Sequence, residues 1–143
     1  MGTTSPGVAV VLIYCDSVIL IYYLDANDVY HRRAASRLQA LHQAGDQIVV
    51  SDLTRLECRV KPMQVADARR LAIFDGFFAR PDVLKAPLTT AVFDRATGLR
   101  ARLAFKTIDT IHLAAAIESG CGRFLTHDIR LARCTEIAVE VLQ

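Results

Sequence analysis

Short, unbroken apolar runs punctuate the chain at 8–15 (VAVVLIYC), 47–51 (QIVVS), 83–88 (VLKAPL), 123–126 (RFLT) and 137–142 (IAVEVL). Rich in β-branched residues and as short as strands, they predict strands buried on both faces. The intervening segments carry helical spacing. Ser17 offers a cap to a helix ending at Leu24, and a second helix over 28–44 sets Ala34, Ala35, Leu38 and Leu41 on one face, with Gly45 as its stop. A short helix over 53–59 is ended by Pro62. Amphipathic helices follow over 66–79 and 91–104, and Thr107 caps a last one running to Gly120. Strands that alternate with helices imply an α/β fold: a three-layer α/β/α sandwich around a central parallel sheet.

At 143 residues the chain has the size of one domain, expected over 8–143 after a disordered tail at 1–7. The run from Val8 to Leu24 is apolar enough to suggest a membrane span, but Asp16 sits at its centre. A carboxylate there would cost roughly 2.5–3.5 kcal/mol in a bilayer, so strand, acid and helix is the better division. No basic segment precedes it to make a signal peptide. The apolar fraction of 52% and mean hydropathy of +0.28 imply that some apolar surface meets a partner. Tyr22, Tyr23, Leu24, Tyr30 and the cluster Phe74, Phe77, Phe78 are the candidates. Cys15, Cys58, Cys121 and Cys134 have no zinc-site spacing and read as buried thiols of a reducing compartment, the cytoplasm.

A net charge of +2 does not make a general polyanion binder. The distribution of acids says more. In open parallel sheets ligands bind off the carboxyl ends of the strands. Asp16 directly follows the first strand, Glu57 lies early in the helix after the second, and Asp128 comes two residues after strand 123–126. Asp109 opens the last long helix, where the dipole favours a carboxylate whether or not it has a further role. Two carboxylates about 4 Å apart repel by roughly 4 kcal/mol at an effective dielectric near 20, so a convergence of four calls for a cation. All-oxygen ligands select Mg²⁺, with Mn²⁺ as the alternative.

Four segments carry a resemblance over about residues 11–142: IYCDSVILIYYL, VVSDLTRLECRV, FKTIDTIHLAAAIESGCGRFLTHD and the closing strand. In this order they resemble the PIN-domain ribonucleases, most closely the VapC-type toxins of prokaryotic toxin–antitoxin pairs. The third segment is the most specific. The resemblance implies a Mg²⁺-dependent endoribonuclease whose catalytic positions are Asp16, Glu57, Asp109 and Asp128. Asp16, Asp109 and Asp128 would hold the metal, and Glu57 would bind metal or orient water. Thr126 matches a hydroxyl position that assists metal or water binding, and Ser17 stands beside the first acid in a supporting role. Val18 departs from the small polar residue the family commonly has there. The resemblance further implies an RNA substrate, a homodimer and a VapB-type antitoxin laid in an apolar groove.

Several residues admit two readings. His112 reads first as a core residue, and second as one facing the acids; His127 is an exposed residue or a substrate contact. Arg55, Arg59, Arg102 and Lys106 suit RNA phosphates or local ion pairs, as do Arg32, Arg33 and Arg37. Asp25 and Asp28 read as loop and cap residues. Two rival assignments stand against the nuclease. A receiver-like phosphoryl-transfer domain would need a second acid two residues after Asp16 or a lysine ending a late strand, but Val18 stands at the first position and 121–143 carries no lysine. The other is a catalytically inactive PIN-like module that binds RNA or protein, which the intact acid set opposes.

Overall fold

A computed structural model describes residues 9–143; the expected tail at 1–7 and Val8, the start of the expected first strand, lie outside the described residues. The elements follow in the order β1 (Leu12–Cys15), α1 (Ser17–Leu24), α2 (His31–Gln43), β2 (Gln47–Val50), α3 (Asp52–Gln64), α4 (Ala68–Phe78), β3 (Leu84–Lys85), α5 (Thr90–Leu103), α6 (Thr107–Glu118), β4 (Arg123–Thr126), a 3₁₀ turn (Ile129–Arg133) and β5 (Ala138–Val141). The strands form one sheet in the order β3-β2-β1-β4-β5, with every pairing parallel. The expected three-layer α/β/α sandwich is the observed one.

Alternation along each strand sends successive side chains into opposite layers. Tyr14, Val49 and Phe124 join Val92, Leu99 and Leu113 of α5 and α6. Ile13, Cys15, Val50 and Leu125 join Ile19, Leu38 and Cys58 of α1, α2 and α3 on the other face. All four cysteines are free and buried. Phe74, Phe77 and Phe78 also belong to this second layer, each at most 4% exposed, so they fill the core and leave nothing for a partner.

Several boundaries differ from expectation for identifiable reasons. β1 begins at Leu12, and β3 keeps only two of the six residues expected at 83–88. Helix α3 runs through Pro62 rather than ending before it. The proline forfeits one helical hydrogen bond, but it extends the buried face of Thr54 and Cys58, and its carbonyl accepts from Asp67 N at 2.9 Å. Asp16, not Ser17, caps α1, which makes Ser17 the first helical residue and frees its hydroxyl. Likewise Lys106, not Thr107, holds the cap position of α6. Gly45 ends α2 with φ of +80°, the left-handed backbone that glycine adopts without strain.

Candidate active site

From the central strand β1 the chain turns to β2 on one side and later returns to β4 on the other, so the carboxyl ends of β1 and β4 flank a topological switch point. Asp16 stands at the tip of β1, with its backbone N–H donating to Leu125 O across the gap at 2.9 Å. Its carboxylate is held from two sides. Oδ1 accepts from Ser17 N at 2.8 Å and Oδ2 from the Thr126 hydroxyl at 2.8 Å. Thr126 also accepts from Asp128 N at 3.1 Å, tying the two acids through one buried hydroxyl.

Glu57 reaches the same point from the second turn of α3. Its Oε1 accepts from the Ser17 hydroxyl at 2.6 Å and from His112 Nε2 at 2.5 Å. His112 is 1% exposed, and its Nδ1 lies 2.7 Å from the Tyr14 hydroxyl. That hydroxyl meets Ser51 Oγ at 2.8 Å and Thr54 Oγ1 at 3.3 Å. A chain of hydrogen bonds therefore runs from the acid at the surface into the heart of the core. The two sequence readings of His112 are both correct, because it is a core residue that faces an acid.

Asp16, Glu57 and His112 offer donor atoms within 4.8 Å of one another. Asp109 and Asp128 lie outside that tight group but line the same open groove of about 650 Å³, with Ser17, Val18, Ile21, Tyr22, His127, Ile129 and Arg130. Asp109, from the first turn of α6, is half-buried and accepts no hydrogen bond from a described side chain. Burial first, and then the charges of Asp16 and Asp128, push its carboxyl above the ordinary aspartate range. Burial likewise raises Asp16, against the pull of His112 and Thr126. Glu57 behaves oppositely: burial opposes its ionisation, but the hydrogen bonds from His112 and Ser17 outweigh it and hold the carboxyl low. Asp128 is also held low, chiefly by Arg130, whose guanidinium grips it with bonds of 3.0 and 2.6 Å.

This donor set suits a hard cation. The Nε2 of His112 is spent on Glu57, so the ligand atoms that the acid cluster offers the groove are carboxylate oxygens, and Asp109 has no internal donor to balance it. Val18 supplies no polar atom to the groove it lines.

The expected RNA-binding residues divide. Lys106 acts electrostatically on Asp128, and His127 lies in the groove, half-buried beneath Tyr22. Arg55 and Arg59 instead approach Asp75 of α4, at 3.8 and 2.8 Å. Arg102 pairs with Glu136 at 2.5 Å, and Arg37 with Glu140. Arg130 was not singled out by sequence, although its place two residues after Asp128 on the turn that leaves β4 is where a cation meets that acid.

The PIN domain matches this chain over residues 13–137. The chain belongs to the PIN domain family. Solved structures of the same fold include VapBC from Salmonella typhimurium bound to DNA, with a TM-score of 0.72 at 20% identity over 92% of this chain and 98% of that one. VapBC2 from Rickettsia felis, bound to a promoter fragment, gives 0.71 at 15% identity over 92% and 99%. The Mycobacterium tuberculosis toxin VapC20, which cleaves the sarcin-ricin loop, gives 0.65 at 16% identity over 78% and 86%. No curated protein matches the chain by sequence.

Proposed function

We propose that this PIN chain is a metal-dependent endoribonuclease, the toxin of a VapBC-type pair. The observation that carries the proposal is the meeting of Asp16, Glu57, Asp109 and Asp128 in one groove at the switch point of the sheet, with more negative charge than the neighbouring donors balance. Asp16, Asp109 and Asp128 would hold Mg²⁺ or Mn²⁺, with Glu57 beside them. The bound ion supplies charge stabilisation at the phosphoryl oxygens and acidifies a bound water.

The side chains supply the rest. Ser17 N and Thr126 fix the Asp16 carboxylate so that it needs no rearrangement to bind. Ser17 and His112 occupy Glu57 Oε1 and leave Oε2 to accept a proton from the attacking water. The water oxygen forms the new bond to phosphorus as its proton passes to Glu57, the bond from phosphorus to O3′ breaks, the departing O3′ takes a proton from solvent, and the products are a 3′-hydroxyl and a 5′-phosphate. Lys106 stands near Asp128 and attracts the phosphate backbone toward an otherwise acidic groove.

No helix among the described residues is long and apolar enough to cross a membrane. Helix α3 carries Leu56, Val60 and Met63 at helical spacing, all at least 42% exposed, beside the acid groove. This stripe is the surface we assign to the apolar segment of a VapB-type antitoxin; a homodimer follows from the family resemblance alone. Induced expression tests the proposal: wild-type protein should arrest growth and leave discrete RNA ends, Asp16→Asn should do neither, and equal behaviour of the two would refute it.

A further inference from the structure

One end of the acid groove is built of rings. Tyr22 from α1, Tyr30 at the start of α2 and His127 after β4 gather with centroids 4.9 Å apart for Tyr22 and Tyr30, 5.4 Å for Tyr22 and His127 and 4.6 Å for Tyr30 and His127. Tyr22 and His127 line the groove that holds all four acids. In the core, Tyr14 and Phe124 stack flat, at 7°. Here no pair does: His127 stands at 79° to Tyr22 and 66° to Tyr30. All three rings keep part of their surface in solvent.

Two of these rings are tied together, and the backbone that carries Tyr22 and Tyr30 is held. The Tyr22 hydroxyl lies 2.8 Å from His127 Nδ1. His31 Nδ1 donates to the Tyr22 carbonyl at 3.0 Å, and Tyr30 N donates to Asp28 Oδ1 at 2.8 Å. Beyond the rings Asp28, Arg32 and Arg33 line one neighbouring pocket. Arg33 lies over the Tyr30 ring at 5.7 Å from its centroid, next to Arg32, and neither arginine forms an ion pair among the described residues. The acid groove thus ends on Tyr22 and His127, with Tyr30 packed against both rings and Arg33 lying over Tyr30 outside the groove lining.

We propose that Tyr30 and His127, backed by Tyr22, stack one unpaired nucleobase adjoining the scissile phosphate, and that Arg33 meets the next backbone phosphate. The proposal rests on the ribonuclease reading and adds to it a base-stacking subsite with named residues; the base it takes is unpaired, because a base paired in an A-form helix cannot leave its stack to reach such a seat. Aromatic faces hold any base, and the flanking guanidinium holds the backbone. Continuity with the acid groove favours RNA over a partner polypeptide.

The test uses short single-stranded RNAs that carry fluorescent aminopurine at each position in turn, bound to the full chain in EDTA so that nothing is cut. Binding should quench one position, next to the cut mapped separately in Mg²⁺. Tyr30→Leu keeps bulk without a ring; it should abolish that quench and raise KM about ten-fold with little change in kcat, as expected for one lost stacking contact. Tyr30→Phe should behave as wild type, and Arg33→Gln should weaken all sequences alike and reduce the salt dependence by about one phosphate contact. A folded Tyr30→Leu protein that quenches and cuts as wild type does would overturn the stacking seat alone and leave the rings to a protein partner. A wild type that neither binds nor cuts RNA would overturn both this inference and the ribonuclease assignment.

Discussion

The Asp109→Asn substitution removes a charge without removing a hydrogen bond, since no described side chain donates to Asp109. In the metal-free protein its carboxylate is opposed by burial and by Asp16 and Asp128. The scale of such repulsion is set by Asp16 and Glu57, whose donor atoms lie within 4.8 Å; unscreened by their own donors, the pair would cost roughly 3.5 kcal/mol at an effective dielectric near 20. Asp109 is half in solvent, so its relief is smaller, about 1 kcal/mol. For a chain of this length that raises Tm by roughly 4 °C. Metal reverses the order. At a concentration one hundred times Kd, Mg²⁺ stabilises the wild type by about 2.7 kcal/mol, or roughly 10 °C. A ten-fold weaker site in the Asp109→Asn protein would lose about 1.4 kcal/mol of that gain. Thermal melts of both proteins in EDTA and in Mg²⁺ should therefore show the variant ahead in the first and its lead gone in the second. A variant less stable in EDTA, or an equal Mg²⁺ shift for both, would refute the argument that Asp109 is a charge awaiting a cation.

Tyr14→Phe keeps the stack on Phe124 but leaves His112, Ser51 and Thr54 short of a buried partner; a loss of about 1–3 kcal/mol is expected in denaturant melts, along with reduced cleavage through the loosened Glu57. Thr126→Val removes the bonds that set Asp16 and Asp128 and should lower kcat by about ten- to a hundred-fold, the cost typical of a residue that orients metal ligands, with a smaller change in KM. Metal-free stability should depend on pH in two opposed ways. Asp16 and Asp109 have raised carboxyls; they bind protons more readily in the folded protein, so stability rises as pH falls from neutral through their folded values. Glu57 and Asp128 are lowered; their contribution is present above the ordinary carboxylate range and is lost as pH falls further, giving a maximum on the acid side of neutrality. A metal-free melting profile that declines steadily below neutral pH would contradict those signs.

Much of this was legible in the chain because the physics is local. Apolar runs such as RFLT and QIVV lie in strands almost at their expected limits, and the order of acids relative to strand ends located the groove. What depended on three dimensions was not legible. The Phe74, Phe77 and Phe78 cluster suggested surplus apolar surface, but the space between α4 and the sheet takes all three rings. The assignment of caps to Ser17 and Thr107 failed by one residue each, because a carboxylate at position 16 caps α1 equally well and the backbone turn at Lys106 comes one residue earlier. Ion pairs joining Arg59 to Asp75 and Arg102 to Glu136 are long-range and leave no spacing signal. For the same reason the partnership of His112 with Glu57, 55 positions apart in sequence, emerged only from the fold.

Cleavage of a defined RNA pool by purified wild type and Asp16→Asn, with ends mapped in Mg²⁺ and in EDTA, bears most directly on the account. It predicts discrete cuts leaving 5′-phosphates, made only by the wild type and only with the metal. Cuts that persist in EDTA, or that the Asp16→Asn protein makes equally well, would contradict it.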